Sequence, residues 1–105
     1  MRGRDSFNVT SNALRQVSAN RCHIKTIVWH NDDAAARFLQ IFNVRSASVT
    51  LGTTVPNMVI QMGADATNTF DLGDSEFSTA FSYAVTTTAG GNTGGTSSWV
   101  SVSFT

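Results

Sequence analysis

The segment from Ser98 to Phe104 alternates between two sets of side chains, and this alternation constrains the fold more than any other feature. One set is apolar and the other, apart from its aromatic member, carries hydroxyl groups: Val100, Val102 and Phe104 against Trp99, Ser101 and Ser103. A period of two is typical of a β-strand, because successive side chains point to opposite faces of a sheet. The segment 80–85 repeats the pattern. The chain is therefore predicted to be built from strands.

The composition supports the same fold class. The 105 residues include 12 serines and 14 threonines, and only 13% of the residues are charged, against a usual share of about a quarter. Threonine and aromatic residues suit a pleated, half-buried surface, whereas runs of Ala, Glu and Lys, which favour helices, are nearly absent. A chain of this length makes one domain.

Further strands are predicted along the chain, each bounded by turn-forming residues. They lie around Leu14 to Val17, at His23 to Asn31, from about Arg37 to Val44, at Met58 to Met62, and over two or three residues near Phe70 to Leu72. Six to eight short strands predict an all-β fold, either an antiparallel β-sandwich or a jelly-roll-like barrel.

Two segments also admit a helical interpretation. Leu14 and Val17 are three residues apart, a spacing that fits one helical turn as well as an irregular strand. Asp33 is followed by three alanines, which is a helix-start signal. The mostly apolar run at 38–44, however, has the length of a buried strand and ends in turn residues. We therefore predict a turn at 32–35 followed by a strand.

The predicted sandwich domain covers residues 24–105, and residues 1–23 are predicted to hold an N-terminal arm and a candidate first strand. The first six residues include Arg2 and Arg4 and are expected to form a flexible basic arm. All seven basic residues precede residue 46, and four of the seven acidic residues follow it. Such a division orients a subunit against a charged neighbour, unless folding mixes the two parts again.

Cys22 is the only cysteine, so no intrachain disulfide forms, and the thiol is expected to be a small buried hydrophobe. No apolar run approaches the roughly 18 residues of a membrane span, and the first residues lack the apolar core of a signal peptide. These features predict a soluble protein that is made in a reducing cytoplasm and has no membrane partner.

Side chains that perform nucleophilic catalysis are sparse. Cys22 and His23 are sequence neighbours and point to opposite faces of a strand, so they are not expected to form a dyad. His30 with Asp32 or Asp33 is a conceivable pair of base and orienting group, but no nucleophile motif accompanies it. We expect no catalytic residue, and therefore a protein that is not an enzyme.

Metal, phosphate and nucleic-acid sites are also not expected. The acidic residues of the FDLGDSE segment match no EF-hand loop, and the segment 30–33 lacks the ligand spacing of a zinc site. The glycine-rich loop 89–95 is not followed by a lysine, which argues against a phosphate cradle. Seven basic residues without a cluster make a weak footprint for nucleic acid. We predict no cofactor and no metal.

Four segments, taken in order, resemble a known group of proteins. They are HIKTIVWHNDDAAARFLQIFNV, SVTLGTTVPNMVIQM, FSTAFSYAVTTTAGG and the closing strand WVSVSFT. This order is similar to that of the small β-sandwich structural proteins in the virions of tailed bacteriophages, of the capsid cement, or decoration, type. The resemblance covers about residues 24–105, and its motifs are packing and turn patterns with no catalytic residue.

The resemblance implies a non-enzymatic virion protein on the capsid surface, made in the host cytoplasm, that bridges neighbouring subunits of the major capsid protein as a homotrimer. Arg2 and Arg4 are then the candidate capsid-contact arm. Trp29 and Trp99 are the candidate subunit interface, because aromatic residues dominate interface cores. For Trp99 the competing interpretation is packing under a loop of its own chain.

An alternative function is a binding module associated with the tail or baseplate. Aromatic rings stack on sugars, and Asn, Asp and Ser side chains donate and accept hydrogen bonds with them. Trp99 and the loop around Asn92 would then form a carbohydrate site.

Overall fold

The computed structural model describes residues 4–10 at the level of the backbone, and residues 14–94 and 98–105 with their side chains. Within these residues the chain forms eight β-strands and one short 3-10 helix. In chain order they are β1 (Arg4–Thr10), β2 (Arg15–Ser18), β3 (Cys22–Asn31), β4 (Arg37–Phe42), the 3-10 helix (Ser46–Ser48), β5 (Met58–Met62), β6 (Ala66–Phe77), β7 (Phe81–Thr86) and β8 (Ser98–Phe104). The predicted all-β class is confirmed.

The strands form two antiparallel sheets of four, which pack face to face. The first sheet has the order β1-β8-β3-β6, and the second has the order β2-β7-β4-β5. In the pairs β1–β8, β2–β7, β3–β6 and β4–β5 the strand numbers always add up to nine. The chain is thus one long hairpin, bent between β4 and β5 and rolled into two layers. This is the topology of the eight-stranded jelly roll.

The core lies between the two sheets and takes side chains from both. Its largest member is Trp29 of β3, which is 0% exposed and donates from Nε1 to the Ser98 hydroxyl at 3.4 Å. Phe77 at the end of β6 and Phe81 at the start of β7 meet edge to face, with ring centroids 4.7 Å apart. This aromatic pair joins the two sheets at the β6–β7 corner.

The outer face of the second sheet is covered by two loops. Residues Gln40, Ser82 and Thr86 lie on this face and are nevertheless buried. The Ser82 hydroxyl donates to the Val44 carbonyl at 2.8 Å, and Gln40 donates from Nε2 to the Thr86 hydroxyl at 2.8 Å and to the Gly91 carbonyl at 3.0 Å. Because of these loops, every residue of β7 is buried, although its sequence alternates like that of a strand with one solvated face.

The predicted turn at 32–35 is present, and a buried polar network holds it. Asn31 accepts at Oδ1 from the Asp33 amide at 3.1 Å and donates from Nδ2 to the Ala35 and Gly63 carbonyls, each at 3.0 Å. Arg37 donates from Nε to Asp33 Oδ2 at 2.8 Å. These contacts supply hydrogen-bond partners to backbone groups of the turn. The three alanines therefore lie in a loop, and β4 begins at Arg37, as predicted.

The predicted arm and domain boundary need correction. The backbone of β1 pairs with β8 from Arg4 opposite Phe104 to Thr10 opposite Ser98. β2 pairs with β7 in the second sheet. Residues 4–10 and 15–18 therefore belong to the sandwich, and Arg4 starts a strand instead of lying in a flexible arm. The reason is that β8 would otherwise expose its hydrogen-bonding edge, and β1 occupies it.

The strand predicted over two or three residues near Phe70 is also wrong in length. β6 runs for 12 residues, and its exposed side chains make its sequence look like a loop. Gly73 and Asp74 have positive φ values of 59° and 62°, where the β3–β6 register shifts between Ile24 and Thr26. β6 is an edge strand, so backbone pairing with β3 determines its extent more than burial does.

Candidate functional site

The outer face of the first sheet carries one cluster of aromatic and polar side chains. In the register of the sheet, His30 of β3 lies between Trp99 of β8 and Thr67 of β6. The His30 and Trp99 rings stack with centroids 5.7 Å apart and planes at 27°. His30 forms a hydrogen bond through Nδ1 with the Thr67 hydroxyl, and its Nε2 lies 3.5 Å from Asp32 Oδ1. We call these four residues the His30–Trp99 patch.

The His30–Trp99 patch is surrounded mainly by small side chains, and most of these carry hydroxyl groups. The next row along the sheet contains Val28 between Ser101 and Thr69, and the row beyond contains Thr26 between Ser103 and Asp71. A stacked pair of rings beside small hydroxyl side chains offers a flat platform together with hydrogen-bonding groups.

His30 meets only part of the predicted base arrangement. It lies beside Asp32, whereas Asp33 turns inward to Arg37. The described contacts of the His30 ring are with Thr67, Asp32 and Trp99. The sequence showed the His–Asp spacing but not the ring stacking, because Trp99 lies 69 positions further along the chain and reaches His30 through strand register.

The two predicted interface tryptophans have different positions. Trp29 is buried between the sheets within one chain, so its assignment to a subunit interface is wrong. Its side chain shares the inward face of β3 with Ile27, two residues earlier, and that spacing was the available signal. Trp99 lies on the outer face and is partly buried against His30.

The other predicted contact residues do not gather at one site. Asn92 lies beside Gly52, in the pair of loops over the second sheet, because a Cβ on Gly52 would stand 3.3 Å from Asn92 Cβ. Trp99 lies on the outer face of the first sheet, so the predicted Trp99–Asn92 carbohydrate site is not formed. Arg2 lies outside the described residues, and so does the side chain of Arg4.

A second surface feature is an apolar patch at the edge of the second sheet. Val55 is 85% exposed, Met58 is 42% exposed and Val59 is 37% exposed. They lie at the start of β5 and in the loop before it, and β5 is the last strand of its sheet. We call them the β5 edge patch. The MVIQM pattern predicts the strand, but it gives no sign that, among the described residues, β5 pairs with a strand on one side only.

The acidic residues of β6 are engaged separately. Glu76 lies 3.7 Å from Arg21 and 3.9 Å from His23, and Asp71 accepts from the Gly73 amide at 2.9 Å. Across the described ranges, no three His, Cys, Asp or Glu side chains are grouped so as to hold a metal ion. Nor does that part of the chain contain a helix with the length and apolarity needed to cross a membrane.

Cys22 and His23 occupy opposite faces of β3, as the sequence indicated. Cys22 is buried in the core, and His23 faces Glu76 on the surface. Burial raises the pKa of the Cys22 thiol, and a hydrogen bond with Ser18 lowers it by a smaller amount. The thiolate is the reactive form of cysteine, so both access and ionisation disfavour reaction at this residue.

In the native protein, Cys22 is therefore expected to react with iodoacetamide at mildly alkaline pH at least roughly tenfold more slowly than in denaturant. Mass spectrometry of timed samples measures both rates. Glutathione alkylated in the two solvents serves as the control for the effect of denaturant on the reagent. Equal rates after that correction would contradict the buried position of the thiol.

Comparisons of this chain with protein-family models, with curated proteins and with solved structures find no match.

Proposed function

We propose that the protein is a non-enzymatic structural protein of a virus particle, a capsid cement protein that bridges neighbouring subunits of the major capsid protein. The observation that supports this most is the single jelly roll in which all eight strands are paired as one rolled hairpin. Jelly rolls are recurrent building blocks of viral capsids and of lectins. Because fold alone does not determine function, the surface of the molecule must support the same proposal.

Two surface features support the capsid proposal, because both are suited to contact with other proteins. The described residues present the His30–Trp99 patch on one sheet face and the β5 edge patch on a sheet edge. Only 13% of the residues are charged, so contacts made by this surface depend weakly on salt. Many copies that each add a modest contact stabilise a shell by multivalency.

The structure alters how such a protein would attach. The sequence predicts a flexible basic arm over the first six residues, but the backbone from Arg4 to Thr10 is paired with β8. The protein would then attach as a rigid body that fits between capsid subunits and contacts them through its loops and sheet edges. A rigid body loses little conformational entropy on binding, which favours affinity for a given contact area.

Gold-labelled antibody against the protein, imaged on purified virus particles by electron microscopy, tests this function. We expect many labels over the capsid shell. Particles produced from a viral genome that lacks the coding sequence of this protein should carry none. The deleted particles should also release their contents at a lower temperature, and purified protein should restore the difference. Label absent from intact particles would contradict the proposal.

The second candidate function is carbohydrate binding on a tail or baseplate, and the His30–Trp99 patch is the observation that favours it. Aromatic rings beside hydroxyl and carboxylate groups match the faces and edges of sugars. A glycan array probed with the wild type and with Trp99→Ala tests it, and we expect binding that is lost in the variant. Tail-restricted label in the imaging experiment would favour this candidate over a cement protein.

A further inference from the structure

The four edge strands of the sandwich differ in how they are protected from pairing with other chains. Exposed strand edges are open to association, and proteins block them with charges, irregularities or short length. The first sheet ends in β1 and β6, and the second sheet ends in β2 and β5. β2 and β6 each carry at least one such device, and β5 carries none except its limited length.

The protected edges have identifiable features. β2 begins with Arg15 and has a register shift. β6 holds three acidic residues and the irregularity at Gly73 and Asp74: Asp71, Asp74 and Glu76. Charge and irregularity both oppose the addition of a further strand at these edges.

The edge of β5 has the opposite character. Its sequence, MVIQM, has no charged residue, and it pairs with β4 in five consecutive positions without a shift. Met58 shares a face with Ile60 and Met62, which pack on the core, yet it remains 42% exposed. Val55, Met58 and Val59 are the exposed large hydrophobic residues of the described chain, and all three lie here.

We propose that β5 pairs with β5 of a second copy of this chain, antiparallel and about a two-fold axis at Ile60. Two five-residue strands overlap completely only in the register that places Ile60 opposite Ile60. That register sets Met58 against Met62 and Val59 against Gln61 of the other copy. No charge meets a like charge, and the exposed Met58 gains an apolar neighbour.

The sequence of β5 favours a second copy over another occupant because the strand is nearly symmetric about its centre. An antiparallel pair of identical strands is self-complementary and closed, so each copy covers the edge of the other and growth stops at two. The contact joins two four-stranded sheets into one of eight strands. A five-residue edge buries less than the roughly 1,200 Å² of a stable interface, so the dimer forms with rising concentration.

Sedimentation equilibrium of the purified protein over a concentration series tests the pairing. We expect a monomer–dimer equilibrium in the wild type. The double variant Val59→Lys with Gln61→Lys places lysine opposite lysine twice across the two-fold axis, and should weaken dimerisation roughly tenfold or more. A matched control, Thr69→Lys with Ala89→Lys, adds the same charge at exposed positions outside β5 and should dimerise like the wild type.

A charge-reversed partner tests the register itself. The variant Val59→Glu with Gln61→Glu should not dimerise alone, but an equal mixture with the lysine variant should form heterodimers. Thermal melts of each variant establish that it is folded. A wild type that stays monomeric, a trimer, or a lysine variant that dimerises like the wild type would each overturn the proposal.

This two-fold contact goes beyond the capsid function and differs from the three-fold assembly that the family resemblance implies. It is measured on the purified chain without any capsid. A dimer can therefore be found even if the imaging experiment places the protein elsewhere, and its absence leaves the capsid proposal standing.

Discussion

Replacing Trp29 with alanine is expected to lower the free energy of unfolding by about 3–5 kcal/mol, as for other large aromatic residues removed from a core. The side chain is fully buried between the sheets, and its Nε1–H is satisfied by the Ser98 hydroxyl at 3.4 Å. The substitution leaves a cavity in the middle of β3 and removes the partner of that hydroxyl. Since small domains are stable by about 5–15 kcal/mol, much of the total is lost. Urea denaturation followed by far-ultraviolet circular dichroism measures the change.

Trp99→Ala is the matched control for that experiment. Trp99 lies on the outer face of β8, where removal of the ring exposes His30 to solvent without opening a cavity in the core. We expect a loss of about 1 kcal/mol, the scale of one aromatic contact at a surface. Equal losses for the two variants would contradict the assignment of Trp29 to the core and of Trp99 to the surface.

Arg37→Ala is expected to destabilise the fold by about 3 kcal/mol, because it removes one partner of a buried ion pair. The Asp33 side chain is 1% exposed and that of Arg37 is 16% exposed, with Nε and Oδ2 2.8 Å apart. In the variant, the carboxylate of Asp33 remains inside the protein without the guanidinium. The turn before β4 is held by the same network, so the substitution also weakens the start of that strand. Urea midpoints again provide the measurement.

Two further variants separate the pair from its members. Arg21→Ala removes an exposed partner, 67% accessible and 3.7 Å from Glu76, and should cost no more than about 1 kcal/mol. The double variant Asp33→Ala with Arg37→Ala should cost less than the two single changes added together. Strict additivity would show that Asp33 and Arg37 do not stabilise each other.

The fold class was predictable because alternation survives where one face of a strand is exposed. β8 shows this directly, since its residues are buried and half-buried in turn, with Val100, Val102 and Phe104 inside. The limits of β6 were not predictable, because an edge strand gains its pairing from the backbone and its side chains remain polar. The place of β1 was not predictable either, because pairing between residues about a hundred positions apart leaves no local pattern.

The candidate site was predictable only as separate residues. The period of two placed Trp99 on the outer face, and the His–Asp spacing marked His30 and Asp32. Their assembly depends on the register between β3 and β8, which turns and irregularities set over the whole sheet. The prediction for Trp29 rests on the enrichment of aromatic residues at interfaces, whereas its spacing of two residues from Ile27 places both side chains on the inward face of β3.

The rolled hairpin has a consequence for how the protein is made. β1 pairs only with β8 within the described residues, and the pairing joins Arg4 to Phe104. β1 therefore finds its native partner only after β8 has left the ribosome. Contacts of such long range also fold slowly. The first sheet is thus completed only after β8 has been made, and chaperones that shield open strands can act on β1 in the interval before that.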